Sequence, residues 1–195
     1  RAVVDALDRT GRALTGLGAV LGRLAGWLIV PIVAAVLAAV VGTYLRFGEI
    51  VAWETDLPLL GTHLSITGLV ELQWHLFAVM VLLGGSYALR ANGHVRVDIV
   101  YDRLRPRTRA LVDILGHLVF LIPFALLVAW LSLDFVELAY RSGEQSDYGG
   151  LTDRYLVKAM VPIGFVILAL TALGQVLSGL AVALDPTRAE ADDAG

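Results

Sequence analysis

The fold of this chain is decided by the stretch GWLIVPIVAAVLAAVVGTYL, residues 26–45. It forms most of a run of 22 residues without a charged side chain, between Arg23 and Arg46. A helix of about 20 residues is long enough to cross the ~30 Å hydrocarbon layer of a membrane. The stretch therefore predicts a transmembrane helix.

Three further runs without charge have similar lengths and are rich in Leu, Val, Ala and Ile. They contain 18 residues after Glu71, 20 after Asp113 and 26 after Lys158. Charged residues make up 17% of the 195, against about 25% in soluble domains. We therefore predict an all-α integral membrane protein, with a four-helix membrane domain over 23–185 that leaves no room for a separate soluble domain. Its spans are expected at about 24–46, 70–90, 112–134 and 158–184.

The basic residues predict how the chain is oriented. Of the 15 Lys and Arg residues, 11 lie before the first span, between the second and third, or after the fourth, and four lie in the two remaining connections. Basic residues accumulate in cytoplasmic segments of membrane proteins. We therefore expect both termini, the loop 90–112 and the acidic tail 186–195 in the cytoplasm.

Segments outside the spans predict short interfacial helices. Residues 1–22 carry apolar side chains at helical intervals, which indicates an amphipathic helix on the inner leaflet: Val3, Leu7, Leu14, Leu17 and Leu21. A frayed tail is the alternative, because each glycine in this segment weakens a helix by ~1 kcal/mol. A similar pattern predicts a short helix over 97–104. The outer loop 48–70 is expected to pack against the outer membrane face.

The predicted spans contain few side chains that could bind a substrate or a cofactor. No ionisable group lies at mid-membrane among acids, as a substrate site would need, so a self-sufficient transporter is disfavoured. His75 and His117 are predicted to differ in depth by ~15 Å, which argues against a shared haem iron. His75 is instead expected to pair with Glu71. Because the sequence has no cysteine and no catalytic, phosphate-binding or nucleic-acid-binding pattern, we expect no enzyme activity, cofactor, metal or nucleic acid. A haem-binding or structural membrane anchor of a redox complex stays the alternative.

Small residues recur at intervals of four in two spans. They are Ala34, Ala38 and Gly42 in the first, and Gly174 and Ser178 in the fourth. Such rows let helices approach closely in a membrane. Packing within the chain and docking to another membrane protein are both consistent with this pattern.

Two stretches carry a resemblance to a known family. The first contains ELQWHLF (71–77), LGGSYALR (83–90) and GHVRVD (93–98), and the second contains GGL (149–151), Arg154, Lys158 and PIGF (162–165). Together with four spans, they resemble the small membrane subunit of tripartite ATP-independent periplasmic (TRAP) transporters, the DctQ-like family. The resemblance covers the chain from about the first span to the end of the fourth. In the family a proline typically follows the Gly-Gly-Leu, whereas Thr152 stands here.

The resemblance implies a non-catalytic role in a bacterial inner-membrane complex. A large DctM-like subunit would carry the substrate and sodium sites, and a periplasmic binding protein would deliver an organic acid. The small subunit would brace the large one and help to dock the binding protein.

The resemblance also implies candidate contact residues on both faces. On the inner face they are Arg90, His94, Arg96 and Asp98, which would contact the large subunit, although Arg90 also suits a topology anchor. On the outer face Arg154 and Lys158 would meet acids of a partner, or reach lipid headgroups. The outer loop most accessible to the binding protein, which we expect to be flexible, contains Glu144, Asp147, Tyr148, Gly149 and Gly150.

Overall fold

The computed structural model describes residues 2–91, 93 and 104–185. Within these residues, four helical segments are long and apolar enough to cross a membrane: Ala2–Tyr44, Ile66–Arg90, Arg107–Arg141 and Tyr155–Leu184. The predicted helical fold with four candidate spans is confirmed. The helix expected over 97–104 lies outside the described residues except for Leu104, and the tail 186–195 lies outside them entirely.

The first segment consists of two helices, α1 (Ala2–Gly26) and α2 (Ile29–Tyr44), joined by a turn. The N-terminal segment is therefore a continuous helix, α1, and not the frayed tail of the alternative prediction. Five of the six buried residues of α1 recur at helical spacing and form one face: Gly11, Thr15, Gly18, Gly22 and Ala25. Because glycine has no Cβ, this face approaches its neighbours closely. Three of the glycines that weaken α1 locally, Gly11, Gly18 and Gly22, are contact positions.

A β-hairpin connects α2 to α3 (Ile66–Arg90). Strand β1 (Glu49–Leu57) pairs antiparallel with β2 (Gly61–Ser65), with irregularities in the register. The hairpin was not predicted from the sequence. Its first strand contains Ile, Val, Trp and Thr, residue types that favour strands. Helix α3 begins at Ile66, earlier than the expected 70.

The third segment contains α4 (Pro106–Gly116), a π-turn (His117–Leu121) and α5 (Ile122–Arg141). In the π-turn the N–H of Ile122 donates to the carbonyl of His117, five residues earlier. Pro123 follows directly and has no N–H to continue the ordinary ladder, so the helix changes its bonding here. Helix α5 continues to Arg141, past the expected end of the span at 134.

The last segment contains the short α6 (Tyr155–Lys158) and α7 (Met160–Leu184). Helix α7 is central, since it contacts α1, α3, α4 and α5. Its buried face consists largely of small residues, and Gly164 packs directly against Leu82 of α3. Helix α2, by contrast, packs against α3 and has most of its surface uncovered.

The bundle has two ends, the hairpin end and the Arg90 end. The hairpin end carries β1, β2 and the loop 142–154. The Arg90 end carries the last turn of α3, where the carbonyl of Leu89 accepts a hydrogen bond from Gln175 of α7 at 2.9 Å. Helices α3 and α7 run parallel from one end to the other.

Candidate interaction surfaces

The hairpin end is formed by two segments that are distant in the sequence. We call them together the cap, meaning the hairpin Glu49–Ser65 and the loop 142–154. Ser65 is the N-cap of α3, and its hydroxyl accepts a hydrogen bond from the N–H of Gly68 at 3.0 Å. The same hydroxyl donates to the carbonyl of Gly149 at 2.9 Å. The residue that starts α3 therefore also binds the loop.

Glu71, in the second turn of α3, binds the loop at two further points. Its Oε1 accepts a hydrogen bond from the Ser146 hydroxyl at 2.6 Å, and its Oε2 accepts one from the N–H of Leu151 at 2.9 Å. A Cβ at position 150 would lie 2.6 Å from Cδ of Glu71, so any larger residue would displace this carboxylate from its place against the loop. The side chain of Leu151 is only 1% exposed. The loop is thus closed over α3.

The tip of the hairpin also bonds to the loop. Pro58 and Leu59 occupy the middle of a turn, in which the N–H of Leu60 donates to the carbonyl of Leu57 at 3.1 Å. Leu59 has a φ of 73°, at the position of such a turn where glycine is usual. Its carbonyl accepts a hydrogen bond from the N–H of Thr152 at 2.9 Å. A proline, as the resembled family typically has after Gly-Gly-Leu, has no N–H and could not form this bond.

Two of the candidate partner residues at this end bind each other. Lys158 forms an ion pair with Glu144 and lies 4.0 Å from the ring centroid of Phe135. The guanidinium of Arg154 forms no ion pair with any residue that the structure describes. Among the residues that the structure describes, Arg154 thus has no anionic partner, whereas Lys158 is paired with Glu144.

The top of the loop is accessible. Tyr148 is 83% exposed, and Asp147 is exposed beside it. Gly149 has a φ of +68°, which suits its turn position. The flexibility expected of this loop stays a prediction; in the structure the loop is bonded to Ser65, Glu71 and Leu59.

The candidate residues of the Arg90 end are only partly described. Arg90 is the exposed last residue of α3. His94, Arg96 and Asp98 lie outside the described residues. Their grouping with Arg90 therefore stays a prediction.

The two rows of small residues have different environments. On α7, Gly174 packs against Gly11 and Leu14, and Ser178 contacts Gly11, so this row packs α1. On α2, the buried residues are Ala35, Ala39 and Gly42, with Gly42 against Ile66 of α3. Ala34 and Ala38 are exposed, so α2 packs on α3 through a face displaced by one residue from the expected row.

The two histidines of the predicted spans, His75 and His117, each bond to a carbonyl one turn earlier. The Nδ1–H of His75 donates to the carbonyl of Glu71, and that of His117 to the carbonyl of Asp113, each at 2.6 Å. The expected pairing of His75 with Glu71 exists, but through the backbone rather than the carboxylate. In the described part of the chain, no group of three or more His, Cys, Asp or Glu residues could hold a metal ion.

Sequence reasoning missed the residues that organise the cap. Ser65, Glu71 and the backbone of Thr152 bind partners far along the chain, which no local pattern reveals. The available signal was the Ser-x-x-Gly-x-x-Glu spacing at the start of a span, with polar groups on one face of the helix.

Comparison with known families is informative over most of the chain. A family model described as "Tripartite ATP-independent periplasmic transporters, DctQ component" matches residues 32–182. The matched range begins in α2, includes the whole cap and ends near the end of α7. No curated protein and no solved structure matches the chain.

Proposed function

The chain belongs to the DctQ component family of tripartite ATP-independent periplasmic transporters, and from this premise we propose that it braces the large DctM-like subunit of such a transporter. As a family member with four apolar helical segments, it is a multi-pass membrane protein and the small component of its transporter. The membrane in this proposal is the bacterial inner membrane. The family match does not favour a redox-complex anchor.

The observation that carries the proposal is the uncovered surface of α2. Its face with Ala35 and Ala39 packs on α3, while Ala34 and Ala38 face away from the chain. Large apolar residues on the adjoining face of α2 are also exposed: Val30, Val33, Leu37 and Val41. Exposed small residues beside larger ones allow a helix of a partner to approach closely in hydrocarbon. This arrangement supports a helix of the large subunit lying on α2.

A groove on the opposite flank of α2, about 160° round the helix from Ala34 and Ala38, is a second uncovered feature of this helix. It lies between α2 and α3, has a volume of about 310 Å³, and is lined by Val36, Ala39, Val40, Thr43, Val70 and Gln73. Gln73 also lines the adjoining groove with Trp74 and Phe77. An amide in an otherwise apolar groove favours a partner that presents a polar group.

Transport chemistry is assigned to the large subunit in this proposal. The spans of this chain lack charged residues over at least 18 consecutive positions each, which leaves little to bind an organic acid or sodium. The chain then contributes contacts. Arg90, His94, Arg96 and Asp98 meet the large subunit in the cytoplasm, while the cap and Arg154 meet the periplasmic binding protein during sodium-driven uptake.

Helix α1 completes the proposal, with its first half at the cytoplasmic membrane surface and its second half entering the bundle, where Gly18 lies against Thr171 of α7 and Gly22 against Tyr87 of α3. Its charged residues occupy one face: Asp5, Asp8, Arg9, Arg12 and Arg23. A second face carries exposed apolar residues, among them Val3, Leu17, Val20 and Leu24. The third face packs on α3 and α7. A helix with one face for water and one for lipid suits the interface, where membrane lipid is its partner.

The experiment is co-purification of the large subunit with the tagged chain from native membranes. We expect the double variant Ala34→Leu/Ala38→Leu to lose most of the large subunit, because the added side chains fill the approach surface. The matched control, Ala6→Leu/Ala13→Leu, enlarges two exposed alanines of α1 and should retain it. If the wild-type chain brings down no large subunit, the bracing role is refuted. If the α2 variant retains the large subunit as the control variant does, this surface of α2 is not the interface.

A further inference from the structure

The loop of the cap lies along one face of α3. Ser65, Gly68 and Glu71 follow at intervals of three and share that face. The consecutive loop residues Gly149–Leu151 run beside it, the first bonded to Ser65 and the last to Glu71. At Gly68 the backbone of the loop comes within 3.9 Å of the position that a Cβ would occupy.

Glu71 is the part of this attachment on which the closed loop depends. It accepts hydrogen bonds at 2.6 Å from Ser146 and at 2.9 Å from Leu151, and bonds to a carboxylate are stronger than neutral ones. Without the carboxylate, the N–H of Leu151 has no acceptor, although that residue is 1% exposed. A buried N–H without a partner is costly, and the loop avoids this cost by opening into water.

The accessible residues of the loop lie between the two points that Glu71 holds. Tyr148 and Asp147 are exposed there, directly after Ser146 and before Leu151. We propose that Glu71 is a positioning residue for docking, which holds this loop in the conformation that the periplasmic binding protein recognises. The inference rests on the proposed function, in which the hairpin end meets that protein.

The first experiment measures whether Glu71 keeps the loop closed. The chain has no cysteine, so single cysteines report accessibility to a sulfonated maleimide in the purified transporter complex in nanodiscs. We expect Leu151→Cys to react slowly in the wild-type background and ~10-fold faster with Glu71→Ala, since one charge-assisted hydrogen bond is worth about that factor. Glu71→Gln, which keeps one acceptor, should be intermediate. An unchanged rate with Glu71→Ala overturns the inference.

Two further variants keep this test decisive. Asp134→Ala removes an exposed carboxylate of α5 at the same end and should not change the rate. Gly150→Ala places a methyl group against the Glu71 carboxylate and should open the loop as Glu71→Ala does. In the Glu71→Ala background, Gly150→Ala should add little, because the clash is gone. If Leu151→Cys fails to assemble, Thr152→Cys is the reporter, because its side-chain oxygen is buried and cysteine is similar in size.

The second experiment measures docking with Tyr148→Cys as the reporter. We expect the soluble binding protein of the same transporter to protect this cysteine from the maleimide, and to protect it much less with Glu71→Ala. If Glu71→Ala opens the loop but the binding protein protects the cysteine at position 148 as well as before, Glu71 has no positioning role. If the binding protein gives no protection even with Glu71 present, the proposed docking at the hairpin end is itself refuted, whereas the labelling of Leu151→Cys still decides whether Glu71 closes the loop.

Discussion

Thr152 contributes to the cap through its backbone. Its N–H donates to the carbonyl of Leu59, at the tip of the hairpin, while Leu59 itself has the unfavourable φ of 73°. A β-branched or bulky residue in this region of φ costs of order 1–3 kcal/mol unless its surroundings stabilise it. The bond from Thr152 is one such contact. Because threonine, unlike proline, has an N–H, the hairpin and the loop 142–154 are linked at this point.

This link can be tested by comparing Thr152→Pro with Thr152→Ala. Proline removes the donor, whereas alanine keeps the backbone N–H and changes only the side chain. A net hydrogen bond is worth ~1 kcal/mol, so we expect about fivefold faster hydrogen–deuterium exchange in the hairpin peptide of Thr152→Pro. Thr152→Ala should exchange like the wild type. Equal exchange in all three proteins would show that the hairpin tip does not depend on this bond.

Glycines hold helix α1 to the bundle, although glycine has a low helix propensity. Gly11 is in contact with backbone atoms of α7: a Cβ at this position would lie 2.7 Å from the carbonyl oxygen of Gly174 and 2.9 Å from the nitrogen of Ser178. Backbone atoms cannot rotate away as a flexible side chain can. The contact therefore sets how closely α1 and α7 approach.

Gly11→Ala and Gly16→Ala form a matched pair for this element. Gly16 lies in the same helix with nothing within 4 Å of its Cβ position. We expect Gly11→Ala to lower the free energy of unfolding by ~1–3 kcal/mol through overpacking. Gly16→Ala should raise it by up to ~1 kcal/mol through helix propensity. Denaturant unfolding of the detergent-solubilised chain measures both, and similar values for the two variants would contradict the packing role of Gly11.

The elements differ in how far the sequence could predict them. The spans were predictable because a charge-free run of membrane length has few other folded forms in lipid. The hairpin was not, because its turn has Leu59 where glycine would have signalled it. The role of Glu71 was equally hidden, since its partners Ser146 and Leu151 lie 75 and 80 residues away. A sequence pattern indicates the structure that neighbouring residues favour, whereas these contacts between distant residues form only in the assembled bundle.

At the scale of the whole molecule, the chain has a covered centre and an uncovered flank. Helix α7 is surrounded by α1, α3, α4 and α5, whereas α2 packs on α3 alone among its principal contacts. Small buried residues on α7 allow the close packing, and the apolar surface of α2 faces lipid or a partner. Such an asymmetric bundle fits a subunit whose flank is completed by another membrane protein.

The charge of Arg154, at the hairpin end, can be tested by reversal. Arg154 forms no ion pair with the described residues, so Arg154→Glu should leave the fold and the co-purified large subunit intact. We expect it to weaken uptake that depends on the binding protein several-fold, and less at high salt, because exposed charges are screened there. Lys158→Glu is a poorer probe, since it also breaks the ion pair with Glu144.

Arg141→Glu is the matched control for Arg154→Glu. Arg141 is exposed at the same end, and among the described residues it pairs with Glu137 alone, one turn earlier on α5, in an exposed pair worth at most ~1 kcal/mol. If both reversals weaken uptake equally, the partner senses the net charge of this end. If only Arg154→Glu does so, a specific acid of the partner meets this arginine. Unchanged uptake with Arg154→Glu would remove it from the docking surface and leave the cap loop as the remaining contact.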